Sequence, residues 1–362
     1  MTEAEKWRTL ARILVLTVPT GTLIGFALGW LIGGAGASMA AGAAIGFLIT
    51  MGMGAFNVSW AVGFVPRRWR EAPFLVVLVT RSLVWLVVIV AAVSLPLLTI
   101  AGLSLEELVD QQFVIAIVAS FVGALLANFV GQVSGLLGRG VLVGLILGRY
   151  HRPREEVRVF LLIDLRGSTQ IAERLGNLRY HAFFSRFIGD VSASVARHRG
   201  EVHRYVGDEV ILTWTAKEGL RSAACVRSVF AISDTLEAAG PAYLADFGVV
   251  PSFWAALHLG PVVTGEIGTM KHEIAFLGDT LNAAARIQQT GKDLQRQFVA
   301  SAEVISALDL PSDIASESLG RIELRGVEDS IRLFALTRPA APRSRTRHIT
   351  RRPDPSEDRA WR

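Results

Sequence analysis

The sequence predicts two domains of different class, an α-helical transmembrane domain with four spans and a following α+β domain. Three observations support this prediction. The 362-residue chain is 51% hydrophobic with a mean hydropathy of +0.42, which is more apolar than an ordinary soluble protein. Long stretches before residue 138 carry no charged residue. From about residue 156 onwards, β-rich and helical segments alternate, which is typical of a folded α+β domain.

The uncharged stretches are long enough for four membrane spans. Residues 13–65 would form a helix about 80 Å long, whereas the hydrocarbon core of a bilayer measures only ~30 Å. We therefore expect two spans here, joined by a turn at residues 33–36. A third span is predicted over residues 82–102, with Arg81 at its edge, and a fourth over residues 113–138. A cleavable signal peptide is not expected, because a second span follows directly.

The basic residues predict how the chain is oriented. They lie before span one, between spans two and three, and after span four, whereas the other two connections carry no Lys or Arg. The positive-inside rule then places both termini and the second domain in the cytoplasm of a multi-pass protein of the inner (plasma) membrane. The basic residues of the three segments are Lys6, Arg8 and Arg12, then Arg67, Arg68 and Arg70, then Arg149, Arg152 and Arg154.

Span one carries glycines at intervals of four, namely Gly21, Gly25, Gly29 and Gly33. Small residues at this spacing let two helix backbones approach closely. The sequence leaves two interpretations open: packing between helices of one chain, or association between two protomers.

Composition also limits the partners of the chain. Residues 338–362 hold eight Arg and three acidic residues, which account for the whole formal net charge of +5. The charge therefore gives no reason to expect a nucleic-acid partner. Cys225 is the only cysteine, so no intramolecular disulfide can form. We expect a transmembrane domain over 1–138, a linker helix over 139–155, the α+β domain over 156–337 and a disordered basic tail over 338–362.

The second domain has the element order of a ferredoxin-like fold. A strand, helices, a β-hairpin, a further helix and a strand form a βαββαβ core, to which further strands are added. Among these we predict strands over 252–258 and 321–324. There is no Walker A or GxGxxG pattern, and the seven His are scattered, which argues against a zinc site.

Two aspartates are candidate metal ligands. Asp164 ends an apolar strand, and Asp208 follows Gly207 in a tight turn between two β-rich runs. If the hairpin lies beside the first strand, the two carboxylates converge on one point. Mg²⁺ takes one or two carboxylates from a protein and leaves its other positions to phosphate and water. The alternative is that either aspartate simply caps a helix or forms a turn.

A third motif lies further along the chain. Asn282 and Arg286 fall in a segment that reads as a helix, and a spacing of four puts both side chains on one face. An amide beside a guanidinium suits a nucleotide, because the amide can orient a sugar oxygen while the guanidinium neutralises phosphate charge.

The three motifs together resemble those of the class III adenylate and guanylate cyclases, over about residues 156–337. They read Phe-Leu-Leu-Ile-Asp-Leu-Arg-Gly-Ser-Thr, Tyr-Val-Gly-Asp-Glu-Val and Leu-Gly-Asp-Thr-Leu-Asn-Ala-Ala-Ala-Arg. The resemblance implies a ferredoxin-like cyclase fold. It also implies that Asp164 and Asp208, with the main-chain carbonyl of Leu165, hold two Mg²⁺ or Mn²⁺ ions. Asn282 and Arg286 resemble the pair that stabilises the transition state.

The resemblance further implies an enzyme that converts ATP, or GTP, to a 3′,5′-cyclic nucleotide and pyrophosphate. The family assembles head to tail, so a homodimer with shared active sites is expected. Two positions depart from the family in the region that reads the purine: Arg204 replaces a frequent Lys, and Ala275 replaces an acidic or hydroxyl residue. Arg325 is the candidate for binding the triphosphate. These departures leave open the alternative of a catalytically weak or inactive nucleotide-binding signalling module.

Overall fold

The computed structural model describes residues 3–34, 36–66, 69, 72–137, 141–270, 272–322 and 330–339. The chain separates into two compact units, Met1–Leu142 and Val143–Arg362. Two predicted features fall outside the described residues: Arg325, and the basic tail beyond residue 339.

Within the described part of the first unit, four helices are long and apolar enough to cross a membrane, as the sequence predicts. A short helix, α4, precedes the last of them. Large apolar side chains on these helices are exposed; Leu16, Leu31 and Leu136 are examples. The helices are α1 (Glu3–Gly33), α2 (Ala37–Val62), α3 (Phe74–Thr99), α4 (Leu105–Leu108) and α5 (Gln111–Leu137).

The glycines of α1 pack this helix against α2 of the same chain. A Cβ atom at Gly25 would overlap the carbonyl oxygen of Gly42, and one at Gly29 would overlap the carbonyl oxygen of Ser38. A Cβ atom at Gly21 would likewise overlap the side chain of Thr50. At these three glycines the interpretation of packing within one chain is confirmed. We call this contact the α1–α2 glycine seam.

The third span begins earlier than the sequence analysis predicts. Helix α3 starts at Phe74, directly after Pro73, whereas the prediction placed the start at Ser82 and was wrong. Proline fits at a helix start, where no intrahelical N–H bond is needed. The prediction started the span directly after the charge of Arg81, whereas Arg81 in fact lies about 10 Å inside the helix.

Polar contacts inside the first unit give Arg81 two partners and connect three helices. Arg81 donates a hydrogen bond of 3.0 Å from Nη2 to Oδ1 of Asn57, and its guanidinium lies 5.3 Å from the ring centroid of Trp60. These contacts join α3 to α2. Asn128 donates to the hydroxyl of Ser82 at 3.3 Å, which joins α5 to α3.

We predict that Gly25→Ala lowers the thermal stability of the membrane unit, because the new methyl group must separate α1 from α2. Overpacking of this kind costs about 1–3 kcal/mol. The measurement is the unfolding temperature of the detergent-solubilised chain, compared with Gly123→Ala, a control on α5 where no atom lies within 4 Å of the added Cβ. Equal unfolding temperatures for the two variants would contradict the seam.

The second unit is built on one mixed sheet. Among its described strands the order is β2-β3-β1-β4-β6-β8-β7, and β5 pairs with β4. The first four strands have the ferredoxin-like order, as predicted, and the others extend the sheet. The strands are β1 (Arg154–Leu165), β2 (Glu201–Val206), β3 (Glu209–Thr215), β4 (Phe253–Ile267), β5 (Glu273–Leu277), β6 (Phe298–Ser301), β7 (Ala315–Ile322) and β8 (Ile331–Thr337). The helices are α6 (Val141–Ile146), α7 (Ser168–Leu175), α8 (Asn177–Arg197), α9 (Ala216–Leu220), α10 (Ala224–Phe247), α11 (Asp279–Asp293) and α12 (Ala302–Ser306).

Alternation along β1 divides the packing between the two faces of the sheet. Leu161 and Ile163 belong to the main core, which also contains Phe187 of α8. Phe160 and Leu162 point to the other face and pack in a smaller cluster that includes Ala284 of α11. Helix α11 therefore lies on the face opposite α8 and α10.

Three elements of this unit differ in extent from the prediction. Strand β4 continues past Pro261 to Ile267, because around this proline β4 pairs only with β1 and the missing N–H is not needed on its other side. Strand β7 starts at Ala315 rather than at residue 321, since its exposed polar residues gave no apolar signal. The helix predicted in the linker covers Val141–Ile146 and is followed by a turn.

Candidate active site

Asp164 and Asp208 lie at the same end of the sheet. Asp164 is the penultimate residue of β1 and pairs with Glu209, the first residue of β3. Asp208 precedes Glu209 in the two-residue turn after β2, where Gly207 takes a φ of +62° that favours glycine. The register of β1 and β3 therefore brings together the two carboxylates that the sequence identified. We call Asp164, Asp208 and Glu209 the carboxylate cluster.

The cluster concentrates negative charge in a partly buried place. Burial raises the pKa of Asp164, the Lys292 ammonium opposes that rise, and the Asp208 carboxylate adds to it. Burial also raises the pKa of Glu209, to which the charge of Asp164 contributes. A cation placed here would relieve both effects.

The sequence motifs did not identify two side chains of this site. Glu209 follows Asp208 directly, and its position opposite Asp164 could have been read from the hairpin. Tyr180 of α8 is the second: burial raises its pKa, and the charges of Asp208 and Asp164 add to the rise. No local sequence pattern links Tyr180 to the aspartates.

Lys292, in the last turn of α11, is a further residue that the motifs did not reveal. Its Nζ donates to Oδ2 of Asp164 in a close ion pair. Both side chains are largely shielded, with 26% of Lys292 and 15% of Asp164 exposed. A protein cation thus holds the candidate metal ligand.

Arg204 and Ala275, the two positions assigned to the purine, lie on β2 and β5. Arg204 on β2 donates from Nη2 to Oε1 of Glu273 on β5, at 2.6 Å, and both side chains are nearly half exposed. Ala275 is buried within β5, so it presents no surface of its own. Glu273 precedes Ala275 by two residues and shares its face of the strand. Glu273, which the sequence analysis did not select, is therefore the polar side chain beside Arg204.

Aromatic rings lie next to this ion pair. The rings of His203 and Phe276 have centroids 4.6 Å apart, and the guanidinium of Arg158 lies 4.6 Å from the Phe276 centroid. Burial and the neighbouring arginines Arg204 and Arg158 lower the pKa of His203 to about 4, so its imidazole is neutral at physiological pH.

Asn282 and Arg286 lie on α11, one turn apart, as predicted. Among the residues that the structure describes, neither side chain has a hydrogen-bond or ion-pair partner. Lys292, which contacts Asp164, comes ten residues after Asn282, or about 15 Å along the helix axis. Within one chain, the structure therefore does not bring Asn282 to the carboxylate cluster.

The remaining predicted ligand, Leu165, ends β1 with its side chain buried in the main core. Only its main-chain carbonyl is available for a ligand.

The cluster suits a hard divalent cation bound together with a substrate. In the part of the chain that the structure describes, no group of three or more His, Cys, Asp or Glu side chains is arranged to hold a metal ion by itself. Mg²⁺ needs only one or two carboxylates when phosphate and water supply the rest. The ammonium of Lys292 on Asp164 indicates that the place accepts positive charge.

Comparisons of sequence and of structure find similar proteins. Residues 150–338 match the family described as "Adenylate and Guanylate cyclase catalytic domain". The chain is 35% identical over 339 residues to "Adenylate cyclase 2" of Rhizobium meliloti (strain 1021), covering 92% of each protein. It is 28% identical over 181 residues to an uncharacterized protein of Mycobacterium tuberculosis, Rv1319c, covering 49% of this chain and 32% of that protein. In fold, it is similar to a bacterial light-regulated adenylyl cyclase, with a TM-score of 0.52, 16% identity, and coverage of 64% of this chain and 67% of the other.

Proposed function

The chain belongs to the class III adenylate and guanylate cyclase family, and from that premise we propose that it is a membrane-anchored cyclase acting on ATP, with GTP as the alternative substrate. The products would be the 3′,5′-cyclic nucleotide and pyrophosphate, and the cyclic nucleotide would serve as a second messenger. The observation that carries this proposal is the convergence of Asp164 and Asp208 at the end of β1. The named relative, aligned over 92% of the chain, supports ATP as the substrate.

Cyclases of this family use divalent metal ions. In our proposal Asp164, Asp208 and the carbonyl of Leu165 hold two ions, Mg²⁺ or Mn²⁺. When bound, such ions polarise the α-phosphate and make the ribose 3′-hydroxyl a better nucleophile. The chain's own contribution is the negative charge that positions the ions.

The other proposed residues act on the nucleotide itself. The Asn282 amide orients the ribose, and the Arg286 guanidinium neutralises the charge that develops on the α-phosphate. Arg204 donates to an acceptor on the purine edge, and Glu273 accepts from a donor there. Adenine and guanine both present an acceptor beside a donor, so this pair discriminates only modestly. Arg325 remains our proposed contact to the triphosphate.

The separation along α11 supports a shared site. Asn282 lies about 15 Å along the helix from the residue that contacts Asp164 of the same chain. Asn282 of one chain therefore lies away from the carboxylate cluster of the same chain, which favours a site completed by a second chain. A head-to-tail homodimer places Asn282 and Arg286 of one protomer against the cluster of the other, and its twofold axis creates two equivalent sites.

Membrane embedding is proposed from the four long apolar helices. The basic segments before α1, between α2 and α3, and after α5 support an inner-membrane location with both termini and the catalytic unit in the cytoplasm. This orientation gives the site access to cytosolic nucleotide.

An inactive nucleotide-binding module is the second candidate function. The buried Ala275 favours it, because the side chain that many relatives use to read the base is missing. Turnover by the purified chain separates the two functions, since a binding module would retain nucleotide without forming a cyclic product.

We predict that Asp164→Ala and Asp208→Ala each lower turnover about a thousandfold or more. Each change removes a ligand that supplies several kcal/mol of transition-state stabilisation, and about 1.4 kcal/mol corresponds to tenfold in rate. The measurement is cyclic nucleotide formed from ATP with Mn²⁺ by the full chain. Asp309→Ala, at an exposed aspartate of the same unit, is the matched control. Near wild-type turnover in both variants would disprove the assignment.

The shared site predicts complementation between two inactive chains. The double variant Asp164→Ala, Asp208→Ala and the double variant Asn282→Ala, Arg286→Ala should each be inactive alone. Their heterodimer contains one intact site and one without any of these four side chains, so activity returns to at most about half per dimer. If tagged heterodimers are isolated and remain inactive, the shared-site model is wrong.

For the base, we predict an ATP/GTP ratio of kcat/KM below about 10⁴, because Ala275 offers no hydrogen bond.

Glu273→Ala should move this ratio about tenfold towards one, since a hydrogen bond to a charged group contributes ~1.5 kcal/mol or more. Kinetics with both nucleotides measure the ratio. Glu173→Ala, at an exposed glutamate on α7, is the control. An unchanged ratio in Glu273→Ala would remove this residue from the base site.

A further inference from the structure

Lys292, in the last turn of α11, places its ammonium against Asp164, a proposed metal ligand. Lys292 reaches Asp164 across 128 residues of sequence, and its Nζ contacts Oδ2 of the carboxylate. Among the residues that the structure describes, Lys292 is the only basic side chain that forms an ion pair with Asp164. The carboxylate that should receive a metal ion is thus already paired within its own chain.

The packing of α11 fixes this position. Gly291, the neighbour of Lys292, is buried, and a Cβ atom there would lie 2.9 Å from Cγ2 of Val299 on β6. Ile287, one turn earlier, is fully buried in the same region. The helix end is therefore held close to the sheet, and Lys292 extends from it towards the end of β1.

The chemistry of the pair resembles that of a metal contact. A lysine ammonium is a compact point charge on a flexible four-carbon stem, so it can approach a carboxylate oxygen end-on and can also swing away. Lys292 retains 26% exposure, which leaves a route to solvent. The charge of Asp208 acts on Asp164, and the charges of Asp164 and Lys292 act on Glu209, so the ammonium lies in a region of concentrated negative charge.

We propose that Lys292 is a built-in substitute for the divalent ion, which holds Asp164 in the metal-free enzyme and must be displaced before the ion can bind. The inference rests on the proposed function, because it takes Asp164 as a metal ligand. Lys292 acts through Asp164 and is a positioning residue. It keeps the carboxylate in place in the absence of metal, and it lowers the apparent affinity for the ion.

The size of the effect follows from the fraction of open sites. If the ion pair is closed about nine-tenths of the time, the apparent metal affinity falls about tenfold relative to a site without the lysine. Removing the ammonium should therefore strengthen metal binding, whereas a residue that merely supported the site would weaken binding when removed.

The test measures binding of Mn²⁺ alone to the full chain in lipid nanodiscs, without nucleotide, from the electron paramagnetic resonance signal of free Mn²⁺. Lys292→Met should bind Mn²⁺ about tenfold more tightly than the wild type. Lys292→Arg, which retains the charge, should stay near the wild type. Lys217→Met, at an exposed lysine on α9, is the matched control and should leave the affinity unchanged. Asp164→Asn identifies the fraction of binding that belongs to this site.

A second measurement guards against a general loss of structure. In EDTA, Lys292→Met should unfold at a lower temperature than the wild type, because Asp164 loses its counterion. Saturating Mn²⁺ should abolish this difference. A difference that persists with Mn²⁺ would mean that Lys292 supports the fold rather than the site, and the proposal would be wrong.

The outcomes separate this inference from the proposed function. Binding that depends on Asp164 but is unchanged or weaker in Lys292→Met overturns the role of the lysine alone. If no Mn²⁺ binding depends on Asp164 in the wild type or in the lysine variants, the metal site itself is wrong.

Discussion

The arrangement of the catalytic unit depends on one electrostatic constraint, the convergence of three carboxylates at the ends of β1 and β3. The antiparallel register places Glu209 opposite Asp164, and the tight turn adds Asp208 beside them. Partial burial makes this charge unfavourable, as the raised pKa values of Asp164 and Glu209 indicate. The unit therefore needs a cation at this place, and the end of α11 supplies one.

Helix α11 consequently takes part in two different sites under the proposed dimer. Its last turn contacts the carboxylate cluster of its own chain through Lys292, whereas its first half carries the exposed Asn282 and the half-buried Arg286 for the other protomer. A single rigid element of about 22 Å therefore connects the two sites mechanically. Its buried face, which includes Ala284 and Ile287, keeps both ends in a fixed relation to the sheet.

The order of the ferredoxin-like strands and the convergence of Asp164 and Asp208 could be predicted from the sequence, because both depend on local patterns: apolar runs, a tight turn and their spacing. Lys292 and Glu273 could not be predicted in this way. Their partners lie 128 and 69 residues away, and only the packing of α11 on the sheet and the pairing of β5 with β4 bring them together. Ala275 was selected by family position, but burial inside β5 removes it from the surface.

If the four long helices span a membrane, as we propose, the α1–α2 glycine seam has a consequence for how the chain enters the bilayer. The two helices are joined by only a short uncharged turn, so they can insert together as one hairpin. Asn57 and Trp60 belong to this hairpin, and Asn57 precedes Arg81 by 24 residues. During synthesis from the N-terminus, the partners of Arg81 are therefore made before the charge that needs them. In a membrane, Arg81 would therefore not have to enter lipid without a polar neighbour.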